Sequence, residues 1–94
     1  MLSKITFGVT INSTSARAAF KKACNDPVGT YDGTIGEKST FSLVILDPEI
    51  INDKKLFAEA VEHLLETRFT TKWGPAGCIR TAATEYYFFG WVRK

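Results

Sequence analysis

Few side chains in this sequence have the chemistry that catalysis or metal binding requires. There are two cysteines, Cys24 and Cys78, and one histidine, His63. Nucleophilic catalysis by either thiol needs a base within hydrogen-bonding reach, and the spacing gives no indication of such a pair. The cysteines have no CxxC or other metal-binding spacing, and His63 has no second histidine to complete a site. We therefore predict buried or incidental free thiols, with one disulfide as the alternative.

Acidic and glycine-rich positions have simpler explanations than an active site. His63 lies one turn after Glu59 on the polar side of a predicted helix, which is typical of a solvated surface residue. Asp47 and Glu49 fit a turn acid followed by an acid at the start of a helix better than a general acid and base. The glycines of segment 28–36 lack the flanking residues of a phosphate-binding loop. We accordingly predict no catalytic residue, no metal and no cofactor.

The C-terminal β segment is aromatic on both of its faces. Side chains of an extended strand alternate between the two faces, so Tyr86 and Phe88 share one face. The opposite face receives Tyr87, Phe89 and Trp91. A strand that buries only one face has no need of a second aromatic set. One set is therefore covered by a loop, by the rest of the β segment or by a dimer partner, or else it is exposed for binding.

Cations accompany these aromatic rings along the chain. Aromatic residues and arginine are enriched at protein-binding hot spots, which favours a protein partner. The same combination can stack unpaired bases while the cations contact phosphates, which favours single-stranded nucleic acid. A loop at 73–77 adds a tryptophan, which is a common contact residue. The predicted partner-binding residues are Trp73, Arg80, Tyr87, Phe89, Trp91, Arg93 and Lys94.

Hydrophobic periodicity predicts the elements that position these side chains. Strict alternation over 4–11 indicates a half-buried strand, and Asn12 or Ser13 is the expected cap of the helix that follows. The clearest helix begins after Asn52 or Asp53. The predicted elements are a strand at 4–11, a helix through 16–23, a weak or edge strand at 28–36, a central strand at 39–46, a helix at 53–69, and a β region at 78–92 with a bulge or short hairpin near residues 84 and 85.

The predicted central strand has a simple alternating pattern. Phe41, Leu43 and Ile45 are expected to face the core, and Val44 and Leu46 to face the opposite side. The full order is β-α-β-β-α-β, which right-handed crossovers close into a four- to five-stranded antiparallel sheet with two helices on one face. We therefore predict a single α+β domain over 1–94, a ferredoxin-like two-layer plait whose other sheet face is uncovered.

RNA-recognition domains share this strand order, but their stacking aromatics are missing here. The first strand has Thr6 at a position where that family places a ring, and residues 37–44 lack its glycine and aromatic pattern. The net charge of +2 does not by itself indicate nucleic acid binding. Shared strand order alone therefore does not carry that family's function over to this chain.

Composition completes the expectation about function. Apolar residues make up 45% of the chain, enough for a folded core, and neither a membrane span nor a secretory signal is recognisable, so we expect a cytoplasmic protein. The function expected is that of a small non-enzymatic protein-binding module, such as a phage-type inhibitor or an accessory subunit of a larger complex. The alternative is a single-stranded nucleic-acid-binding protein, and homodimerisation is an open question.

Overall fold

The computed structural model describes residues 4–24, 40–71 and 74–93. Within these ranges the chain forms four strands and three helices. They are β1 Lys4–Asn12, α1 Ala16–Cys24, β2 Phe41–Val44, α2 Pro48–Ile51, α3 Lys54–Thr67, β3 Ala76–Ala82 and β4 Glu85–Arg93. The predicted weak strand at 28–36 lies outside the described residues.

Side-chain caps define where the two longer helices begin. The Asp53 carboxylate accepts hydrogen bonds from the backbone amides of Lys55 and Leu56 at 2.9 and 3.1 Å, so the predicted cap of this helix is confirmed. In α1 the cap is Ser15, whose hydroxyl oxygen accepts from the amide of Ala18 at 3.1 Å. The predicted caps Asn12 and Ser13 are wrong, because β1 extends to Asn12 and the helix starts later.

The four strands form one mixed sheet in the order β1-β4-β3-β2. β4 pairs antiparallel with both β1 and β3, whereas β2 pairs parallel with β3. The predicted all-antiparallel sheet is therefore wrong, because the β2–β3 pair is parallel. β2 is also shorter than the predicted 39–46 strand and stands at the end of the described order instead of the centre. The predicted break in the C-terminal β region is confirmed, since β3 and β4 form a hairpin.

The helices lie on opposite faces of this sheet. Phe88 and Phe89 are neighbours in β4, so their side chains point to opposite faces. Phe88 belongs to a core cluster with Ala19 and Ala23 of α1, and Phe89 to a second cluster with Val61 and Leu65 of α3. The described residues thus form three layers, and the predicted placement of both helices on one face is wrong.

The direction of the two crossovers explains the third layer. From β1 the chain passes through α1 to β2 at the far side of the sheet, and from β2 it returns through α3 to the adjacent β3. Right-handed crossovers that run in opposite directions across a sheet place their helices on opposite faces. The fold is α+β with a mixed four-stranded sheet, and no helix among the described residues is long and apolar enough to cross a membrane.

Candidate protein-interaction surface

The aromatic face of β4 that carries Tyr87 and Phe89 is covered by α3 and the residues that follow it. Phe69 stands edge-on to Phe89, with ring centroids 5.2 Å apart, and Phe57 stands edge-on to Tyr87 at 5.2 Å. Phe89 is fully buried and Tyr87 is half-buried. Edge-to-face contacts of this kind add to the free energy that ring burial already provides. These rings therefore belong to the core between β4 and α3.

Trp91 is attached to the same helix by a hydrogen bond. Its indole Nε1 donates to the backbone carbonyl of Leu65 at 3.0 Å, and the side chain is half-buried. A buried indole usually needs such a polar partner, and a carbonyl near the end of α3 supplies it. Trp91 consequently connects the C-terminal part of β4 to α3.

The other aromatic face of β4 is covered by α1. Phe88 is fully buried, and its ring contacts those of Phe20 and Phe41 with centroids 5.7 and 5.8 Å apart. Tyr86 is also buried on this side. The predicted uncovered sheet face is therefore wrong for the described residues. β4 is aromatic on both faces because it is an inner strand with a helix above and a helix below.

Because helices cover both faces of β4, most of the predicted partner-binding residues on this strand are not available at the surface. Phe89 has no exposed surface to offer a base or a partner, and Tyr87 and Trp91 contact α3. Trp73 and Lys94 lie outside the described residues. Arg93 ends β4 opposite Lys4, and its side chain lies outside the description. The structure does not gather these residues on one open surface.

Arg80, the remaining predicted site residue, is exposed at the end of β3. Its Nε donates to the carbonyl of Ala82 at 3.3 Å and its Nη2 donates to the carbonyl of Ala83 at 2.8 Å. The guanidinium therefore closes the turn between β3 and β4. Among the described residues no carboxylate pairs with it; the nearby Glu85 instead accepts a hydrogen bond from the Thr81 hydroxyl at 2.7 Å.

Exposed aliphatic side chains lie next to Arg80. Leu43 is 48% exposed and Ile45 is 89% exposed. Together with Val44, Leu46 and Arg80 they line a surface depression of about 300 Å³. We refer to Leu43, Ile45, Leu46 and Arg80 as the β2 patch. A pair of large aliphatic side chains exposed beside a strand that ends the described sheet is a common feature of interaction surfaces.

The predicted burial of Leu43 and Ile45 is wrong, although Phe41, the third residue predicted to face the core, does pack against the cluster on the α1 side. Leu43 and Ile45 were expected to face the core, but Val44 is the buried residue, in the cluster with α3. The alternation itself is correct, yet the face that carries Leu43 is incompletely covered. α1 packs mainly on β1 and β4, toward the other end of the sheet. Ile45 is exposed because of where β2 lies in the sheet, and the alternation of apolar residues along the chain does not predict that position.

Cys78 lies on the α1 side of the sheet and is fully buried as a free thiol. Burial raises its pKa from 9.0 to about 11, because the charged thiolate is poorly solvated there. His63 is exposed on α3, which covers the opposite face, so the sheet separates the two side chains. Cys78 is therefore suited to packing and not to nucleophilic attack.

Thiol labelling tests this description of Cys78. In a Cys24→Ser background, we expect the folded protein to react with Ellman's reagent at pH 8 at least about 100-fold more slowly than the denatured protein, because both thiolate fraction and access are reduced. A raised pKa favours the neutral thiol in the folded state, so its contribution to stability is present below pH 9.0 and is lost as the pH rises through about 11. A Cys24→Ser/Cys78→Ala variant should lose less stability over this range. Equal reactivity before and after denaturation would contradict the burial.

The part of the chain that the structure describes contains no group of three or more histidine, cysteine, aspartate or glutamate residues placed to hold a metal ion. In the described ranges, the β2 patch combines exposed aliphatic side chains with Arg80, for which those ranges contain no carboxylate partner. Comparisons with models of protein families, with curated proteins and with solved structures gave no match.

Proposed function

We propose that this chain is a non-enzymatic protein-binding module that engages another protein through the β2 patch. The observation that carries the proposal is the 89% exposure of Ile45 beside Leu43, which is 48% exposed. Full burial of an isoleucine side chain is worth about 1.5–3 kcal/mol, so a partner that covers this residue gains substantial affinity. An inhibitor or accessory subunit of a larger complex is the kind of protein that acts through such a surface.

Strand geometry supports the same proposal. Among the described residues β2 forms backbone pairs with β3 alone. A strand can pair on two sides, so an extended segment of a partner can add to the outer side of β2 while its side chains cover Leu43 and Ile45. Main-chain hydrogen bonds then contribute affinity, and the apolar contact determines which side chains fit.

Nucleic acid binding has less support than protein binding. That hypothesis required rings able to stack on bases, and Phe89 is fully buried while Tyr87 and Trp91 contact α3. The aliphatic side chains of the β2 patch offer no flat aromatic surface to a base. The proposal is therefore confined to a protein partner.

A paired substitution tests the proposal. A photoreactive amino acid at position 47, which is exposed two residues from Ile45, is used to trap a partner from cells that express the chain, and the trapped protein is then purified. We expect Ile45→Asp to weaken its binding at least about tenfold, measured by isothermal titration calorimetry, because burial of an aspartate replaces burial of an isoleucine. The control is Leu56→Asp, since Leu56 is 44% exposed but lies on α3.

The control separates the β2 patch from general surface hydrophobicity. Both variants should retain the thermal stability of the wild-type chain, because both side chains are exposed. Equal weakening by the two substitutions, or no weakening by either, would contradict the assignment of the binding surface.

A further inference from the structure

We infer that the partner segment is an extended peptide that places an aliphatic side chain on Ile45 and a carboxylate on Arg80. Resting on the proposed function, this inference specifies the chemistry that the β2 patch recognises. Three observations support this inference. The aliphatic side chains are exposed, the Arg80 guanidinium has N–H donors left for a further acceptor, and the β2–β3 pairing brings these two features together.

The aliphatic surface suits a peptide better than a small enclosed ligand. The depression of about 300 Å³ is lined by aliphatic side chains and Arg80. Small-molecule pockets bury most of their ligand within preformed walls, whereas Ile45 is 89% exposed and encloses nothing. A second polypeptide chain that lies along this exposed aliphatic surface can cover it.

Arg80 provides a cation that no carboxylate of residues 4–24, 40–71 or 74–93 neutralises. Its two hydrogen bonds go to the carbonyl oxygens of Ala82 and Ala83, which carry no net charge. A guanidinium has five N–H donors, so donors remain for a further acceptor. The two carbonyls also fix the side chain in one position, which reduces the entropy lost when an anion binds. A carboxylate is the matching acceptor in a protein partner.

The β2–β3 register brings the apolar and cationic parts together. The parallel register ends with Val44 opposite Ile79, and the residues that follow this pair, Ile45 and Arg80, line the same surface depression. The Arg80 guanidinium reaches the carbonyl oxygens of Ala82 and Ala83, which lie two and three residues further along the chain. Side chains on one face of an added strand recur at every second residue, so a peptide that contacts Ile45 with one side chain brings its next side chain on that face toward the displaced guanidinium. The expected recognition pattern is therefore an aliphatic residue and Asp or Glu separated by one residue.

Selection from a random library of phage-displayed 12-residue peptides tests this pattern. The purified 94-residue chain, its Arg80→Gln variant and its Ile45→Asp variant serve as separate baits. We expect the wild-type chain to enrich peptides with an aliphatic residue two positions from Asp or Glu. Arg80→Gln should enrich aliphatic residues without the acidic preference, and Ile45→Asp should enrich neither. Thermal unfolding of each bait checks that it is folded, and Arg80→Lys retains the cation as a second variant.

A synthetic peptide with the most enriched sequence then permits a double-mutant cycle. Replacing its acidic residue by the corresponding amide should weaken binding to the wild-type chain about tenfold and to Arg80→Gln hardly at all. The affinity of the wild-type chain for the peptide should also fall as sodium chloride is raised from 0.05 to 0.5 M. The expected loss is roughly that of one exposed ion pair, because salt screens the attraction between Arg80 and the carboxylate. Binding to Arg80→Lys should be intermediate, because lysine retains the charge without the planar fork.

The outcomes separate the inference from the proposed function. Peptides that require Ile45 but show no acidic preference would overturn the carboxylate assignment and leave the protein-binding proposal standing. Peptides that bind regardless of Ile45→Asp, or no enrichment at all, would overturn the inference, while the photocrosslinking experiment independently decides the proposed function. A concentration-dependent dimer that Ile45→Asp dissociates would also overturn the inference, because the occupant would then be a second copy of this chain.

Discussion

Alanine at position 88 or at position 89 is expected to lower the free energy of unfolding by about 3–5 kcal/mol in each case. Both phenylalanine side chains are fully buried, one in the cluster with α1 and the other in the cluster with α3. Each substitution removes a ring and leaves a cavity that its neighbours fill only partly. A domain of this size is stable by roughly 5–14 kcal/mol, so either change removes a large share of the total.

Equilibrium unfolding in urea measures this effect, and the pair of variants tests the three-layer arrangement. A sheet with helices on one face alone would tolerate one of the two substitutions, whereas a sheet covered on both faces tolerates neither. Leu56→Ala is the control and should change stability by no more than about 0.5 kcal/mol, because Leu56 is 44% exposed. Where an alanine variant fails to fold, Phe88→Leu and Phe89→Leu give a smaller, measurable loss on both faces. A negligible loss at either position would refute burial on that face.

Gly77→Ala is expected to cost about 3 kcal/mol, at the upper end of the usual range for overpacking. A Cβ added at Gly77 would lie against the ring of Phe89, with Cε1 and Cε2 at 2.5 and 2.6 Å. Phe89 is fully buried and stands edge-on to Phe69, so its ring has no free space into which it can move. The methyl group must therefore displace the backbone of β3 or part of the core.

Urea unfolding of Gly77→Ala is best compared with that of Gly74→Ala. A Cβ at Gly74 would meet the Thr71 hydroxyl oxygen at 3.1 Å, which belongs to an exposed side chain and accepts a hydrogen bond from the Gly74 amide. We expect Gly74→Ala to change stability by less than about 1 kcal/mol. Gly77→Ala with the stability of the wild-type chain would show that β3 and Phe89 are less closely packed than described.

Local patterns in the sequence predict most of the described elements. The alternation in β1, the alanine stripe of α1 and the cap at Asp53 are each determined within a few residues of chain. The hairpin between β3 and β4 was also predictable, because the apolar segment is too long for one strand. These features depend on backbone propensity and short-range hydrogen bonds, which a single sequence contains.

Strand order could not be predicted in the same way, because it depends on contacts between distant segments. The parallel pairing of β2 with β3 reverses the direction of the second crossover and so places α3 on the opposite face from α1. The double aromatic pattern of Phe88 and Phe89 was the available signal of a strand covered on both sides. In a two-layer plait, which has helices on one face only, the same pattern leaves one set of aromatic rings uncovered.

The candidate site was therefore predictable only at Arg80. Ile45 was assigned to the core by its alternation with Val44, and its exposure became apparent only once β2 was placed at the end of the described sheet. How much of a strand at the end of the described sheet is exposed depends on where the covering helix ends. No pattern within 39–46 contains that information.

The position of β4 between β1 and β3 also determines when the chain can fold during its synthesis. Lys4 pairs with Arg93 at one end of the ladder and Asn12 with Glu85 at the other, so nearly the whole described chain separates the two strands. During translation β1 emerges before β4 and must remain without this neighbour until β4 leaves the ribosome. A nascent chain stalled before β4 should therefore remain sensitive to protease, and protection should appear in one step when β4 inserts.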